Sequence, residues 1–267
     1  ISSNDGMKFV KKNDFENILI KNISKWLSPN QIIEILASGM VGAKQGWIEV
    51  PYTETPFSVL KLKVLSPEVN NKKIKVYILS GVSQKKPEDV MRGEETQLAG
   101  YFMDNPNFSG SICLPGTHSK WVNVKNYHIL NFNTYLTGEL FEILKNNSVL
   151  KHSLLTEEIS EKKLFEGVEI IFKNLNNLSN QLFQLRAKDL LKNQSSIDAN
   201  SLLSGYFLGL ELLGSKNYWY KKDVVLIGSE FLTKYYELCL QKKVNSIKKF
   251  NSSEMTLKGL SYFKNNL

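Results

Sequence analysis

Cysteine is almost missing from this 267-residue chain, which carries only Cys113 and Cys239. Two thiols cannot staple a disulfide-dense secreted domain, and their spacing matches no metal-ligand motif. A reducing compartment is therefore the expectation, and the protein is read as cytoplasmic. Arginine is as scarce: Arg92 and Arg186 are the only two among 34 basic residues. Seven prolines and 16 glycines exclude a collagen-like repeat or a Pro/Gly-rich linker chain. No run approaches the ~20 apolar residues that span a bilayer as a helix, so no membrane partner is expected. Residues 1–9 do not read as a signal peptide, and Ile1 is not a start methionine, so a segment is expected upstream. What is present, 42% hydrophobic and 22% charged residues, is globular composition. The length accommodates two lobes of ~100–150 residues.

The formal charge is +8 and the isoelectric point is near 9.2. A basic chain raises nucleic acid as a partner. Here the charge is nearly all lysine, spread along the chain beside many asparagines. No segment interleaves basic and aromatic residues into a stacking platform, so no nucleic-acid partner is expected. The positive balance does favour an anionic small molecule. Where lysine is the ordinary cation, the two arginines are candidates for sites that need a planar fork to a carboxylate or phosphate. The plainer alternative is that each closes an ion pair.

Hydrophobic spacing predicts an amphipathic helix over Asp14–Leu27, with Asp14 as its cap. Ile32–Ala37, Val76–Leu79, Ile112–Leu114 and Val224–Ile227 read as short, mostly buried strands. All four run into glycine-containing turns, the pattern of α/β sheets whose ligands gather at strand carboxyl ends. Trp121–Val124 and His128–Phe132 alternate as a hairpin around Lys125-Asn126-Tyr127. Helices are predicted over Glu94–Phe102, Gly138–Lys145, Glu157–Leu191, Ser201–Leu213, Phe231–Leu240 and Ser252–Phe263. Gly205 and Gly209 would let the Ser201–Leu213 helix pack closely. The nearest thing to a boundary is the Asn-, Pro-, Gly- and Ser-bearing stretch Asp104–Ser111. It divides the chain into lobes 1–108 and 109–267, with the last helix packing back on the first.

Five segments could carry chemistry. Leu114-Pro115-Gly116-Thr117-His118-Ser119-Lys120-Trp121 lies between two strands. Its glycine, hydroxyls and lysine suit an anion nest, and they suit a polar hairpin turn equally well. Arg92-Gly93-Glu94-Glu95 opens a helix. Acidic residues complement the dipole there, and a carboxylate facing a pocket could take a proton from a hydroxyl. Thr137 precedes Gly138-Glu139 at a strand-to-helix junction and reads as an N-cap. Gly228-Ser229 follows a strand and precedes a helix, a common nucleotide-contact geometry. Gly39-Met40-Val41-Gly42 with Gln45-Gly46-Trp47 offers an amide and an indole to a polyol, or forms a plain loop.

Taken in this order and wording, the blocks Gly39-Met40-Val41-Gly42, Gln45-Gly46-Trp47, Met91-Arg92-Gly93-Glu94-Glu95-Thr96-Gln97, Pro115-Gly116-Thr117-His118-Ser119-Lys120-Trp121, Thr137-Gly138-Glu139-Leu140 and Leu203-Ser204-Gly205 resemble the 2-dehydro-3-deoxygalactonokinase family. The resemblance runs nearly end to end. It implies an α/β fold of the two-lobed actin-like ATPase (ribonuclease H-like) type, with a cleft between lobes. It implies transfer of the ATP γ-phosphate to the terminal 6-hydroxyl of 2-dehydro-3-deoxy-D-galactonate, with ATP and Mg²⁺ required. In that reading Glu94 or Glu95 is the catalytic base. Gly39, Met40, Gln45, Trp47, Arg92 and Thr137 meet the sugar acid, whose carboxylate falls to Arg92 or Lys44. Gly116, Thr117, His118, Ser119 and Lys120, with Gly228 and Ser229, meet ATP. No metal ligand is assigned, and a homodimer is left open. The family's first phosphate motif, an Asp-x-Gly-Thr-like hairpin, has no counterpart, and Ile1–Asn13 resembles the segment after it. A chain lacking that motif could alternatively be a non-catalytic actin-like sugar-acid-binding protein.

Overall fold

Apolar spacing of three and four residues builds the first helix, α1 (Phe15–Ile23), in the computed structural model. The structure describes Ser3, Asp5, residues 10–28 and residues 30–267. The segment likened to the stretch behind a first phosphate motif, Ile1–Asn13, therefore falls largely outside the described residues. Short 3-10 turns flank α1 at Lys12–Asp14 and Ser24–Trp26. Asp14 stands at the N-cap position, but its side chain makes no capping hydrogen bond there.

Seven strands follow: β1 (Ile33–Ala37), β2 (Thr53–Glu54), β3 (Phe57–Ser58), β4 (Val64–Leu65), β5 (Ile74–Leu79), β6 (Val82–Lys85) and β7 (Glu88–Met91). Then come α2 (Glu94–Asp104), β8 (Ser109–Leu114), β9 (Ser119–Lys125), β10 (His128–Tyr135), α3 (Thr137–Asn147), α4 (Glu161–Lys173) and α5 (Leu178–Lys192). The last elements are α6 (Ser196–Gly214), α7 (Lys216–Trp219), β11 (Asp223–Gly228), α8 (Glu230–Leu240), β12 (Ser246–Asn251) and α9 (Ser252–Lys264). The fold is mixed α/β, as the strand-and-helix pattern predicts.

The chain divides into two compact units. Unit one takes the described residues up to Ser109 together with Val124–Phe132 and Ser252–Leu267, and unit two takes Gly110–Asn123 and Asn133–Asn251. In unit one, β1 and β5 pair in parallel, Ile35 opposite Val76, and β4 adds antiparallel to β5. A second small sheet runs β2-β6-β7. From β5, Ile74, Val76 and Ile78 join Ile23 of α1 and Val50 in one apolar cluster. The last helix, α9, packs on α2.

In unit two, β11 is parallel to both β8 and β12. All of β11 after Asp223 is buried, so it reads as a continuous apolar run rather than an alternating one. The β9–β10 hairpin turns through Asn126 and Tyr127, both at positive φ (46° and 67°), which matches the twist of the flanking strands. α4 and α6 pack closely because both contribute glycine at the crossing. A Cβ on Gly205 would lie 2.2 Å from the Leu164 carbonyl oxygen, and one on Gly167 would lie 2.7 Å from that of Leu202.

One sequence expectation needs correction here, and for Arg186 the plainer of the two readings is the one borne out. The helix predicted over Glu157–Leu191 is two helices. Ser160 accepts the Lys163 N–H and so starts α4, and a 3-10 turn at Leu175–Asn177 separates it from α5. Asparagines there compete for backbone bonds and break the helix despite continuous apolar periodicity. Arg186 is not a ligand fork but an ion pair: its Nη1 lies 2.6 Å from Asp189 Oδ2, one helical turn along α5.

Candidate functional site

In unit one, two loops meet. Gly39 (φ 87°) follows β1, and Gly93 (φ 118°) precedes α2, both in the region that L side chains avoid. A Cβ on Gly93 would stand 3.3 Å from the Gly39 Cα, so the two backbones touch. This brings the Met40–Gly42 turn beside the Arg92-Gly93-Glu94-Glu95 segment. The Arg92 guanidinium stacks on the Tyr52 ring at 4.2 Å, and its Nη2 donates to the Val50 carbonyl at 3.0 Å. Its Nε and Nη1 are buried and have no hydrogen-bond partner among the described residues. A guanidinium with two spare donors is prepared for an anion.

The two glutamates differ sharply. Glu95 is completely buried, and both its oxygens accept the Gly93 N–H at 2.8 Å. Burial, with Glu94 beside it, raises its carboxyl to about 8. Its protonated form is thereby favoured, and both its oxygens are already engaged by the Gly93 N–H. Glu94 is half-buried and accepts the Arg92 N–H at 3.0 Å. Of the remaining loop residues, Met40, Lys44 and Gln45 are exposed. Trp47 turns its ring inward, joining the apolar cluster and stacking on Phe15 at 6.1 Å.

In unit two, the turn after β8 and the start of α3 form one piece. A Cβ on Gly138 would lie 2.7 Å from the Thr117 Cα, and the Glu139 N–H donates to the Thr117 carbonyl at 3.0 Å. Gly116, Thr117, Thr137 and Gly138 line the mouth of a cavity of about 420 Å³, within the range of small-molecule sites. Phe207, Leu208, Phe231 and Tyr235 supply apolar walls. Asn200, also in the wall, is buried. Its Nδ2 donates to the Glu158 carbonyl at 3.2 Å, and its Oδ1 has no partner among the described residues.

Other residues proposed for ATP do not line this cavity. His118 pairs with Glu139 at 2.5 Å. Lys120 is buried and donates to the His118 carbonyl at 2.9 Å. Gly228 closes β11, and a Cβ on it would lie 3.4 Å from Pro115 Cδ, which places it behind the Gly116 turn. Ser229 caps α8, accepting the Leu232 N–H at 3.3 Å. Cavity-facing residues come from the next turn of α8.

Thr137 is not the N-cap its position predicts. Leu136 holds that place, and the Thr137 hydroxyl donates to the Glu211 carboxylate. Glu211 was not singled out from the sequence. It is completely buried, and it also receives Trp121 Nε1 at 2.8 Å and the Tyr236 hydroxyl at 2.7 Å. Ser119 joins through Tyr236 at 3.1 Å. Burial raises this carboxyl above its ordinary range, and hydrogen bonding by Thr137, Tyr236, Trp121 and Ser119 opposes that rise. The available signal was a lone carboxylate inside the apolar Ser201–Leu213 run.

The family model for 2-keto-3-deoxy-galactonokinase matches residues 1–263. A Rhizobium meliloti (strain 1021) protein named a probable 2-dehydro-3-deoxygalactonokinase is 32% identical over 265 residues, covering 97% of this chain and 86% of that protein. The 2-dehydro-3-deoxygalactonokinase of Escherichia coli (strain K12) is 33% identical over 214 residues, 78% of this chain and 70% of the relative. A crystal structure from Sinorhizobium meliloti, described as a 2-dehydro-3-deoxygalactonokinase protein, superposes with a TM-score of 0.89 at 31% identity. That match covers 99% of this chain and 88% of the other.

Proposed function

The chain belongs to the 2-keto-3-deoxy-galactonokinase family and is a kinase that uses ATP; from that premise we propose that it phosphorylates the terminal 6-hydroxyl of 2-dehydro-3-deoxy-D-galactonate. The observation that carries the reading is a pairing of two chemistries. One loop pair has a spare guanidinium and a half-buried carboxylate, and one cavity has a Gly-Thr turn at its mouth. We assign the nucleoside to the cavity of about 420 Å³ and the phosphates to the Gly116–Thr117 turn, with the Thr117 backbone N–H as the donor. The Asn200 oxygen is a leftover acceptor for an amino-bearing base. Arg92 takes the substrate carboxylate, a role that an ammonium such as Lys44 fills less well.

Glu94 is the proposed base. It orients the 6-hydroxyl and accepts its proton as the bond to phosphorus forms. Glu95 acts one step behind, fixing the Gly93 N–H and so the entry of α2. Among the described residues no cluster of three acidic, histidine or cysteine side chains forms a metal cage. Mg²⁺ would be held chiefly through the nucleotide phosphates and would keep several waters. When bound, the ion neutralises phosphate charge. The finer architecture, a two-lobed actin-like fold of lobes 1–108 and 109–267, is part of this proposal. It requires hydroxyl and γ-phosphate to come within bonding reach. Cytoplasmic location is likewise proposed; no helix among the described residues is long and apolar enough to cross a membrane.

The test is an ADP-release assay with Mg-ATP and the keto-deoxy acid. Turnover that requires both substrates is expected. Glu94→Gln should lower kcat by roughly 10²–10⁴. No ADP release with any 2-keto-3-deoxy sugar acid, or a near-wild-type rate in Glu94→Gln, would refute the corresponding part.

A further inference from the structure

An ionisable group with no access to solvent, placed by none of the chemistry above, sits beneath the cavity mouth. Glu211 projects from α6 and is the acceptor for side chains from three other elements. Trp121 reaches it from β9, Thr137 from the first turn of α3, and Tyr236 from α8. Tyr236 passes the link on to Ser119, whose Oγ lies 3.4 Å from the Gly116 N–H and accepts from it. The carboxylate thus ties both edges of the cavity mouth, the Gly116–Ser119 turn and the Thr137-Gly138 helix start, to the helices that form its walls.

Simple core packing would not select a carboxylate here. An apolar side chain of similar size would avoid the desolvation cost. The three converging donors give the group a different property. They fix where each hydroxyl and indole points, and thereby fix the backbone segments that carry them. The Thr137 hydrogen is committed to Glu211, so the oxygen turns lone pairs to its remaining neighbours.

We propose that Glu211 is a positioning residue for nucleotide binding, holding the Gly116–Ser119 turn and the start of α3 at the separation the phosphates require. This rests on the reading of the Gly116 turn as the phosphate site. Glu211 touches neither substrate and acts through Thr137, Tyr236 and Ser119. Glutamine at 211 keeps the size and the bond from Trp121. It forces an amide N–H₂ toward two hydroxyls that had been donating, so both must reorient.

Calorimetric titration of the full chain with Mg-ADP supplies a readout that does not depend on turnover. The Kd should rise roughly tenfold or more in Glu211→Gln, since displacements near 1 Å cost up to ~10²-fold. In steady state the KM for ATP should rise while that for the sugar acid stays within about twofold. Leu185→Ala, a truncation in unit two at a buried residue that does not itself line the cavity, controls for lost stability. Should it weaken ADP as much as Glu211→Gln does, Glu211 is merely structural and the inference fails. Unchanged ADP affinity in Glu211→Gln also overturns it. If that variant does not fold, Tyr236→Phe and Thr137→Val, which each cut one link, decide in the same way. Gly116→Val separates this inference from the underlying one. A Cβ at Gly116 meets nothing within 4 Å, so the side chain is accommodated and covers the turn. If Gly116→Val leaves ADP binding unchanged, the phosphate assignment is wrong. If it weakens ADP and the Glu211 variants do not, only the role of Glu211 falls.

Discussion

Glu95 shows how two adjacent glutamates that read alike in sequence can meet different surroundings in space. Its neighbour Glu94 shares its charge and helix end, yet one turns into the core and the other stays half-buried. The raised carboxyl has a consequence for stability. Between its ordinary value of 4.5 and about 8, the native protein holds a proton that the unfolded chain releases. This contribution is fully present below pH 4.5, and it is lost as pH rises through 8. Thermal melts between pH 5 and 8.5 should therefore show a decline that is smaller in Glu95→Gln by several degrees. Equal slopes in the two proteins would show that Glu95 is ionised when folded. The cysteines behave as packing residues. Both are buried, and burial pushes the Cys239 thiol up to about 12. An aromatic disulfide reagent should label neither in the native state and both after denaturation. Rapid native labelling of either would contradict the packing.

Elements were legible where local chemistry decides them. β11 was readable from four consecutive apolar residues, and the β9–β10 hairpin from alternation around Asn126-Tyr127. The α4/α6 contact was foreshadowed by glycines in an apolar helix. It leads to a direct prediction: Gly205→Val places a carbon 2.2 Å from the Leu164 carbonyl oxygen, which belongs to backbone and cannot yield cheaply. A loss of at least ~3 kcal/mol is expected in urea unfolding, at the upper end of overpacking effects. A variant with unchanged midpoint would mean that α4 and α6 are not packed this tightly. Ser229→Ala removes one cap bond from α8 and should cost about 1 kcal/mol. Thr137 shows the opposite case. Its place before Gly138-Glu139 reads as a cap, but a carboxylate 74 residues later takes its hydroxyl, and no local rule contains that information.

At the scale of the whole molecule, the proposed division of labour predicts where ligands protect the chain. Mg-ADP should slow amide exchange around Gly116–Thr117 and the first turns of α3 and α8. The sugar acid should slow it around 39–46 and 92–96. A ligand at 100 times its Kd should add about 2.7 kcal/mol of stability. Protection by ADP confined to 39–46 and 92–96 would reverse the assignment of the two sites. Net charge of +8, almost all of it lysine, adds a general attraction for two anionic substrates without naming either.

By itself the sequence determined the α/β class, the strands β1, β5 and β8–β11, most of the helices, and the blocks that identify the kinase family, because these depend on spacing and on short runs of residue types. Only the tertiary structure decided which members of those blocks share a site. It separated Glu94 from Glu95, turned Trp47 into an apolar cluster, placed Gly228 and Ser229 behind the cavity, and joined Glu211 to Thr137. Burial and long-range hydrogen bonds settle such matters. They depend on what the rest of the chain brings alongside each residue, which no window of neighbouring residues records.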